Sequence, residues 1–76
     1  MSRGRTPNAL SKNLGKRVKS LREKKGWTQA DMAAHLGLER GHISEIEHGR
    51  RAVTLPTLET VASGLNTTMS KLLKGL

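Results

Sequence analysis

The chain has 76 residues, enough for one domain, with 34% apolar residues, one tryptophan and no cysteine. This composition excludes disulfides and thiolate metal sites, and it makes a second subunit one way of completing a small core. Fourteen basic residues against six acidic ones give a net charge of +8, which favours a polyanionic partner, either nucleic acid or an anionic membrane surface.

Residues 1–10 are basic and lack apolar periodicity, which predicts a flexible N-terminal arm. No apolar run approaches the roughly 18 residues that span a bilayer, and no apolar stretch typical of a secretory signal follows the arm. We therefore expect a cytoplasmic protein. The short length also argues against an enzyme.

Five short helices are predicted after the arm, with no segment that alternates with the period of a β-strand. The first spans about residues 11–25, and apolar residues recur along it at helical spacing: Leu10, Leu14, Val18 and Leu21. The fourth spans about residues 55–65 after Thr54, with an apolar stripe of Leu55, Leu58, Val61, Ala62 and Leu65. The last follows Thr68. The predicted fold class is all-α.

The second and third helices form a motif over about residues 28–48. Thr28 followed by Asp31 predicts a capped helix start, and Gly37 ends this helix with a residue that tolerates a left-handed turn. About three residues then lead to a helix that ends before Gly49. A small residue, Ala33, where the helices meet, together with the glycine turn, is typical of a DNA-binding helix-turn-helix.

The segment Leu21-Arg-Glu-Lys-Lys-Gly-Trp-Thr-Gln-Ala-Asp-Met-Ala-Ala-His-Leu-Gly37 and the segment Ile43-Ser-Glu-Ile-Glu-His-Gly-Arg50 resemble the Cro/cI-like (XRE-type) repressor family. The similarity covers about residues 12–74. It implies a compact five-helix, lambda-repressor-like DNA-binding domain, here residues 11–76, that acts as a homodimer on a short inverted repeat.

The resemblance also implies roles for individual residues. Gln29 matches a glutamine that contacts the DNA backbone, and the exposed front of the recognition helix carries Arg40, Gly41, His42, Ser44 and Glu45. Arg40 suits guanine, and Glu45 either accepts from a cytosine amine or is a solvated charge. Arg22 and Glu47 are expected to pair out of water. Two departures from the family pattern are Gly41, which has no side chain, and an acidic N-cap, Glu39.

The net charge is uneven: residues 1–27 carry +8, residues 28–49 carry −3 and residues 50–76 carry +3. The basic flanks are therefore expected to contact phosphates, through Lys16, Arg17, Arg50 and Arg51. The last helix carries more apolar residues than it needs internally, which predicts a dimer interface of Met69, Leu72, Leu73 and Leu76. The histidines lack ligand spacing, so no metal or cofactor is expected.

These observations favour a sequence-specific regulator of transcription that binds double-stranded DNA, and we expect repression. A restriction–modification controller or an antitoxin that represses its own operon fits the same pattern, which leaves a toxin partner open. A basic amphipathic module that binds membranes or acidic proteins is the alternative from another class. It predicts one uniformly basic face, which the acidic motif disfavours.

Overall fold

The computed structural model describes residues 8–76, in which five helices and no strand are found. The helices are α1 (Asn8–Lys24), α2 (Gln29–Leu36), α3 (Arg40–Glu47), α4 (Leu55–Gly64) and α5 (Met69–Leu73). The all-α prediction is confirmed. None of the described helices is long and apolar enough to cross a membrane.

The first helix begins at Asn8 rather than near residue 11, so the last three residues of the expected arm are helical. The physical reason is that no proline or glycine interrupts residues 8–11, and Ala9 and Leu10 are good helix formers. The rest of the arm, residues 1–7, lies outside the described residues.

Local capping explains where the other helices begin. The Thr28 hydroxyl accepts from the Asp31 N–H at 3.0 Å, and the Asp31 carboxylate accepts from the Thr28 N–H at 2.9 Å. This is a complete capping box at the start of α2. Thr54 and Thr68 accept from N–H groups in the first turns of α4 and α5. These three caps were all predicted from the sequence.

The core lies between the five helices. The helix pairs that pack together are α1 with α3 and α5, α2 with α3 and α4, and α4 with α5. The buried apolar residues are Leu14, Val18, Met32, Ala33, Ile43, Ile46, Leu58, Val61, Ala62, Leu65 and Leu72. Leu10 and Leu55, expected on apolar stripes, are instead 53% and 70% exposed because both occupy the first turn of their helix, beyond the core.

Two glycines allow α1 to approach the end of α3. A Cβ atom on Gly15 would lie 2.5 Å from the carbonyl oxygen of Glu47, and one on Gly49 would lie 2.7 Å from the Cα of Lys12. Gly49 also has φ +67°, a left-handed conformation that other residues adopt at a cost. The end of α3 is therefore anchored on α1 through close backbone contact that any side chain at these glycines would prevent.

Candidate nucleic-acid interface

The turn between α2 and α3 is short and internally bonded. Gly37 ends α2 with φ 70°, and the N–H of Leu38 donates to the Ala33 carbonyl at 3.0 Å. Glu39 then precedes α3 as its N-cap, without a side-chain hydrogen bond to the helix. Met32, Ala33, Ile43 and Ile46 are buried beneath the turn, so the two helices share one core. This geometry fixes α3 relative to the body of the domain and leaves its opposite face open.

A buried ion pair holds the end of α3 against α1. Nε of Arg22 lies 2.6 Å from Oε2 of Glu47, and Nη2 donates to Oε1 at 3.0 Å. The two side chains are only 9% and 2% exposed. The third guanidinium nitrogen donates to the carbonyl of Trp27 at 2.7 Å, so the pair also ties down the start of the motif. The pairing expected from the family resemblance is confirmed by this geometry.

Gln29 joins the same network. Its amide nitrogen donates to Oε1 of Glu47 at 3.1 Å, and the residue is half-buried at the start of α2. The hydrogen bond that Arg22 donates to Glu47 is the main cause that holds the pKa of Arg22 above its ordinary value, against the opposing effect of burial. Arg22, Glu47 and Gln29 therefore form one hydrogen-bonded cluster that positions the end of α3.

The exposed face of α3 carries the residues expected to contact bases. Arg40 and Gly41 are exposed, whereas His42, Ser44 and Glu45 are half-buried. A Cβ on Gly41 would meet nothing within 4 Å, so the helix has open space there. The hydroxyl of Ser44 lies 3.4 Å from Nδ1 of His48, which also contacts the Ser44 carbonyl at 2.8 Å. The five residues lie on one short helix, and three of them, Gly41, His42 and Glu45, line one cleft.

An ion pair that sequence analysis missed links this face to the following loop. Nη2 of Arg51 lies 2.9 Å from Oε1 of Glu45. Both residues line an open cleft of about 310 Å³, together with Glu39, Gly41 and His42. The signal in the sequence was opposite charges six residues apart across Gly49, but only the left-handed turn at that glycine brings them together.

The basic flanks are partly as expected. Lys16, Arg50 and Arg51 are exposed. Arg17, expected to meet phosphate, is half-buried, and Nη1 donates to the carbonyl of Leu72 at 3.2 Å and to that of Lys74. Nη1 of Arg17 is thus engaged by carbonyls at the end of α5, and the phosphate contact expected of Arg17 stays a prediction.

The expected dimer residues divide into two groups. Leu72 is completely buried between α5 and the rest of the core, so it cannot be a contact surface in this fold. Met69 and Leu76 are half-buried against the core, and Leu73 is 37% exposed. Leu73 lines an apolar groove of about 240 Å³ whose other walls are Leu10, Ser11, Leu14, Ala52, Val53 and Leu58. Sequence analysis missed this groove because helices distant in the sequence form it.

Trp27, just before the N-cap of α2, and His35 on α2 form an aromatic pair. Their rings stack at 4.3 Å with an interplanar angle of 22°, and Nζ of Lys25 lies 5.1 Å from the Trp27 ring centre. Trp27 also packs against the core, as a hydrophobic residue immediately before a helix cap often does. Nδ1 of His35 contacts the carbonyl of Asp31 at 2.9 Å. The tryptophan is thus a packing residue in this structure.

Comparison with known proteins agrees with this geometry. Residues 18–72 match the helix-turn-helix family model. The chain is 39% identical to the control protein C.MunI of a Mycoplasma species over 86% of this chain and 89% of the relative. It is 35% identical to the immunity repressor protein of Bacillus phage phi105, but it spans only 40% of that protein's length.

Solved structures show the same fold. The restriction–modification controller protein C.AhdI from Aeromonas hydrophila superposes with a TM-score of 0.81 at 30% identity, covering 87% of this chain and 96% of that one. The clp gene regulator ClgR from Corynebacterium glutamicum superposes with a TM-score of 0.80 at 31% identity, covering 84% of this chain and 82% of that one. The family match and these neighbours agree with the helix-turn-helix motif of this chain. The chain belongs to the Cro/cI-like (XRE-type) helix-turn-helix family of DNA-binding transcriptional regulators.

Proposed function

We propose that this chain is a repressor that binds an inverted-repeat operator as a homodimer and recognises its bases with α3. The observation that carries the proposal is the Arg22–Glu47 pair, which fixes the recognition helix from behind. Because that cluster holds α3 without using Arg40 or Glu45, these two side chains are available for base edges.

Exposed basic residues on both sides of the motif support the phosphate contacts. Lys16 on α1 and Arg50 after α3 are exposed, whereas residues 28–49 between them carry a net charge of −3. We infer that the flanks supply attraction that does not depend on sequence, and that α3 supplies selectivity. Gln29 and the amide groups at the start of α2 add a further backbone contact. Binding to chromosomal DNA implies a cytoplasmic location and requires no catalytic step.

The apolar groove supports a second copy of this chain as the dimer partner. Leu10, Leu55 and Leu73 expose large apolar side chains, the first and last of them within the groove itself. In a two-fold dimer the same patch covers itself on the partner, so an exposed leucine and an apolar groove on one surface are complementary. We therefore propose the interface at this groove, with Leu73 retained from the expected set and Leu72 removed, and with Met69 and Leu76 outside the groove lining.

Selection of bound duplexes from a random pool tests the proposed DNA recognition. The expected result is an inverted repeat with half-sites about one helical turn, roughly 10 bp, apart. Enrichment of no motif would contradict sequence-specific recognition, and enrichment of a single half-site would contradict the homodimer. Binding to anionic vesicles with equal affinity would instead support the membrane-binding alternative.

Sedimentation equilibrium tests the interface independently of DNA. Leu10→Lys is expected to weaken self-association at least tenfold because it introduces a charge into the apolar groove. Asn13→Lys, an exposed position on the same helix α1 outside the groove lining, is the matched control and should leave association unchanged. Equal association constants for the two variants would exclude this surface as the interface.

Control of a restriction–modification operon is a second candidate. This role is favoured because the match covers nearly the whole length of two control proteins, 89% of C.MunI and 96% of C.AhdI. Neither of these relatives is named as an antitoxin, and no toxin partner is proposed. The selected operator should then lie upstream of the chain's own gene, beside genes for an endonuclease and a methyltransferase. An operator found only at unrelated promoters would exclude this role.

A further inference from the structure

We infer that Arg51 is a positioning residue for Glu45, and that the pair makes the recognition helix select cytosine at one position of each half-site. This inference rests on the proposed function, since it names the base chemistry that the exposed face of α3 recognises. The observation is the 2.9 Å contact between Nη2 of Arg51 and Oε1 of Glu45. It joins the helix to a loop residue outside it.

The pair remains accessible. The side chains of Arg51 and Glu45 are 53% and 43% exposed, and both line the open cleft on the outer face of the motif. One oxygen of Glu45 is held by the guanidinium, while the carboxylate has two oxygens with several acceptor sites. The second oxygen is therefore able to accept a hydrogen bond from a group entering the cleft.

A carboxylate in the major groove lies close to phosphates and is repelled by them. A cation bound to it removes most of that repulsion, and arginine suits this task because its guanidinium has five donors in a fixed plane. Arg51 can keep Glu45 neutralised with one donor and offer others to a phosphate. In contrast, Glu39 lines the same cleft without an ion pair among the described residues. Glu45 is thus the carboxylate that the structure prepares for contact with DNA.

The base that such an acceptor selects follows from the edges of the base pairs. Cytosine presents the N4 amine in the major groove, whereas guanine presents two acceptors and thymine an acceptor and a methyl group. Adenine presents an amine beside the acceptor N7, which a carboxylate repels. A carboxylate acceptor therefore prefers cytosine over all three alternatives. Discrimination of about tenfold is expected for one well-placed contact.

Binding titrations on the selected operator test this inference. Each half-site position is changed to all four bases, and the affinities of wild type, Glu45→Gln and Arg51→Gln are compared. Wild type should prefer cytosine at one position. Glu45→Gln should lose that preference there and gain affinity for adenine, because an amide can donate to N7 while accepting from N6. Arg51→Gln should also relax the preference at this same position.

Arg50→Gln is the matched control, since Arg50 is the exposed neighbour of Arg51 and makes no ion pair among the described residues. It should lower affinity for all base variants by one common factor. If Glu45→Gln keeps the wild-type preference at every position, or if Arg51→Gln behaves as Arg50→Gln does, the inference is wrong. A wild type that selects no motif contradicts the proposed function itself, so the two failures are distinguishable.

Discussion

Glu47, in the last turn of the recognition helix, receives hydrogen bonds from Arg22 on α1 at 2.6 and 3.0 Å in a site closed to water. The same carboxylate accepts from Gln29 at 3.1 Å. Removal of either charge would leave the other buried without an opposite charge. Such a pair specifies one arrangement of the helices, and the free energy of unfolding depends on both members being present.

Arg22→Ala is accordingly expected to lower the free energy of unfolding by about 3–5 kcal/mol, because Glu47 is left as an uncompensated buried charge. Urea denaturation followed by circular dichroism measures the loss. Arg50→Ala, an exposed arginine, is the control and should change stability by less than about 0.5 kcal/mol. Where Arg22→Ala remains folded, base preference on the operator should be unchanged. An unaltered unfolding midpoint would refute the structural role of the pair.

The close approach of α1 to α3 gives a second prediction. Gly15→Ala should destabilise the domain by about 1–3 kcal/mol, because the new Cβ meets backbone oxygens that cannot move independently. Gly41→Ala is the matched control within a helix. Its Cβ meets nothing within 4 Å, so helix propensity alone should stabilise the domain by up to about 1 kcal/mol. Thermal melting distinguishes the two signs, and a stabilised Gly15→Ala would contradict the contact.

The capping box predicts a pH dependence. The N–H of Thr28 donates to the Asp31 carboxylate and, with the Thr28 hydroxyl, holds the pKa of Asp31 below its ordinary value. A carboxyl pKa depressed in the folded state adds stability above the unfolded pKa, near 3.9, and this stability is lost as the pH falls through the lower folded value. The difference in melting midpoint between wild type and Asp31→Ala should therefore be constant near neutrality and shrink below about pH 4.

Glu59→Ala, which removes an exposed carboxylate on α4, is the control for this pH series. Its midpoint difference from wild type should show a smaller change across the same range. A difference for Asp31→Ala that stays constant down to pH 2 would show that the carboxylate contributes nothing in its charged form.

Arg17 and Lys16 are neighbours on α1, and their substitution is expected to affect different properties, stability in the first case and DNA affinity in the second. Arg17→Gln should destabilise the domain by about 1 kcal/mol and accelerate amide exchange in α5, because carbonyls of Leu72 and Lys74 lose their donor. Lys16→Gln should leave stability unchanged and make the dependence of log affinity on log salt shallower by about 2, one phosphate per subunit. If only Arg17→Gln made the salt dependence of affinity shallower, Arg17 rather than Lys16 would be the residue that contacts phosphate.

Features set by neighbouring residues were predictable from the sequence. The capping box at Thr28 and the left-handed Gly37 are local, since each depends on hydrogen bonds or torsions within a few residues. The fold class follows from them and from the apolar spacing. The Arg22–Glu47 pair is a contact between distant residues, and it was expected only because the motif resembles a known family.

Features set by tertiary packing were not predictable. Leu55 and Leu72 have similar helical surroundings in the sequence, yet one is 70% exposed and the other completely buried. Which of them meets the core depends on how α4 and α5 are oriented on α1, which residue spacing within one helix does not determine. The groups to which Arg17 and Arg51 donate likewise depend on tertiary packing, because the position of the end of α5 and that of the loop after α3 decide which acceptors are near.

The central claim is that a fixed recognition helix gives this domain selective binding to one DNA sequence. The most direct test is a competition titration of the selected operator against a duplex of scrambled sequence, at two salt concentrations. The account predicts at least about 1000-fold tighter binding to the operator, with the affinity for the scrambled duplex falling steeply as salt rises. Equal affinity for the two duplexes at both salt concentrations would contradict it.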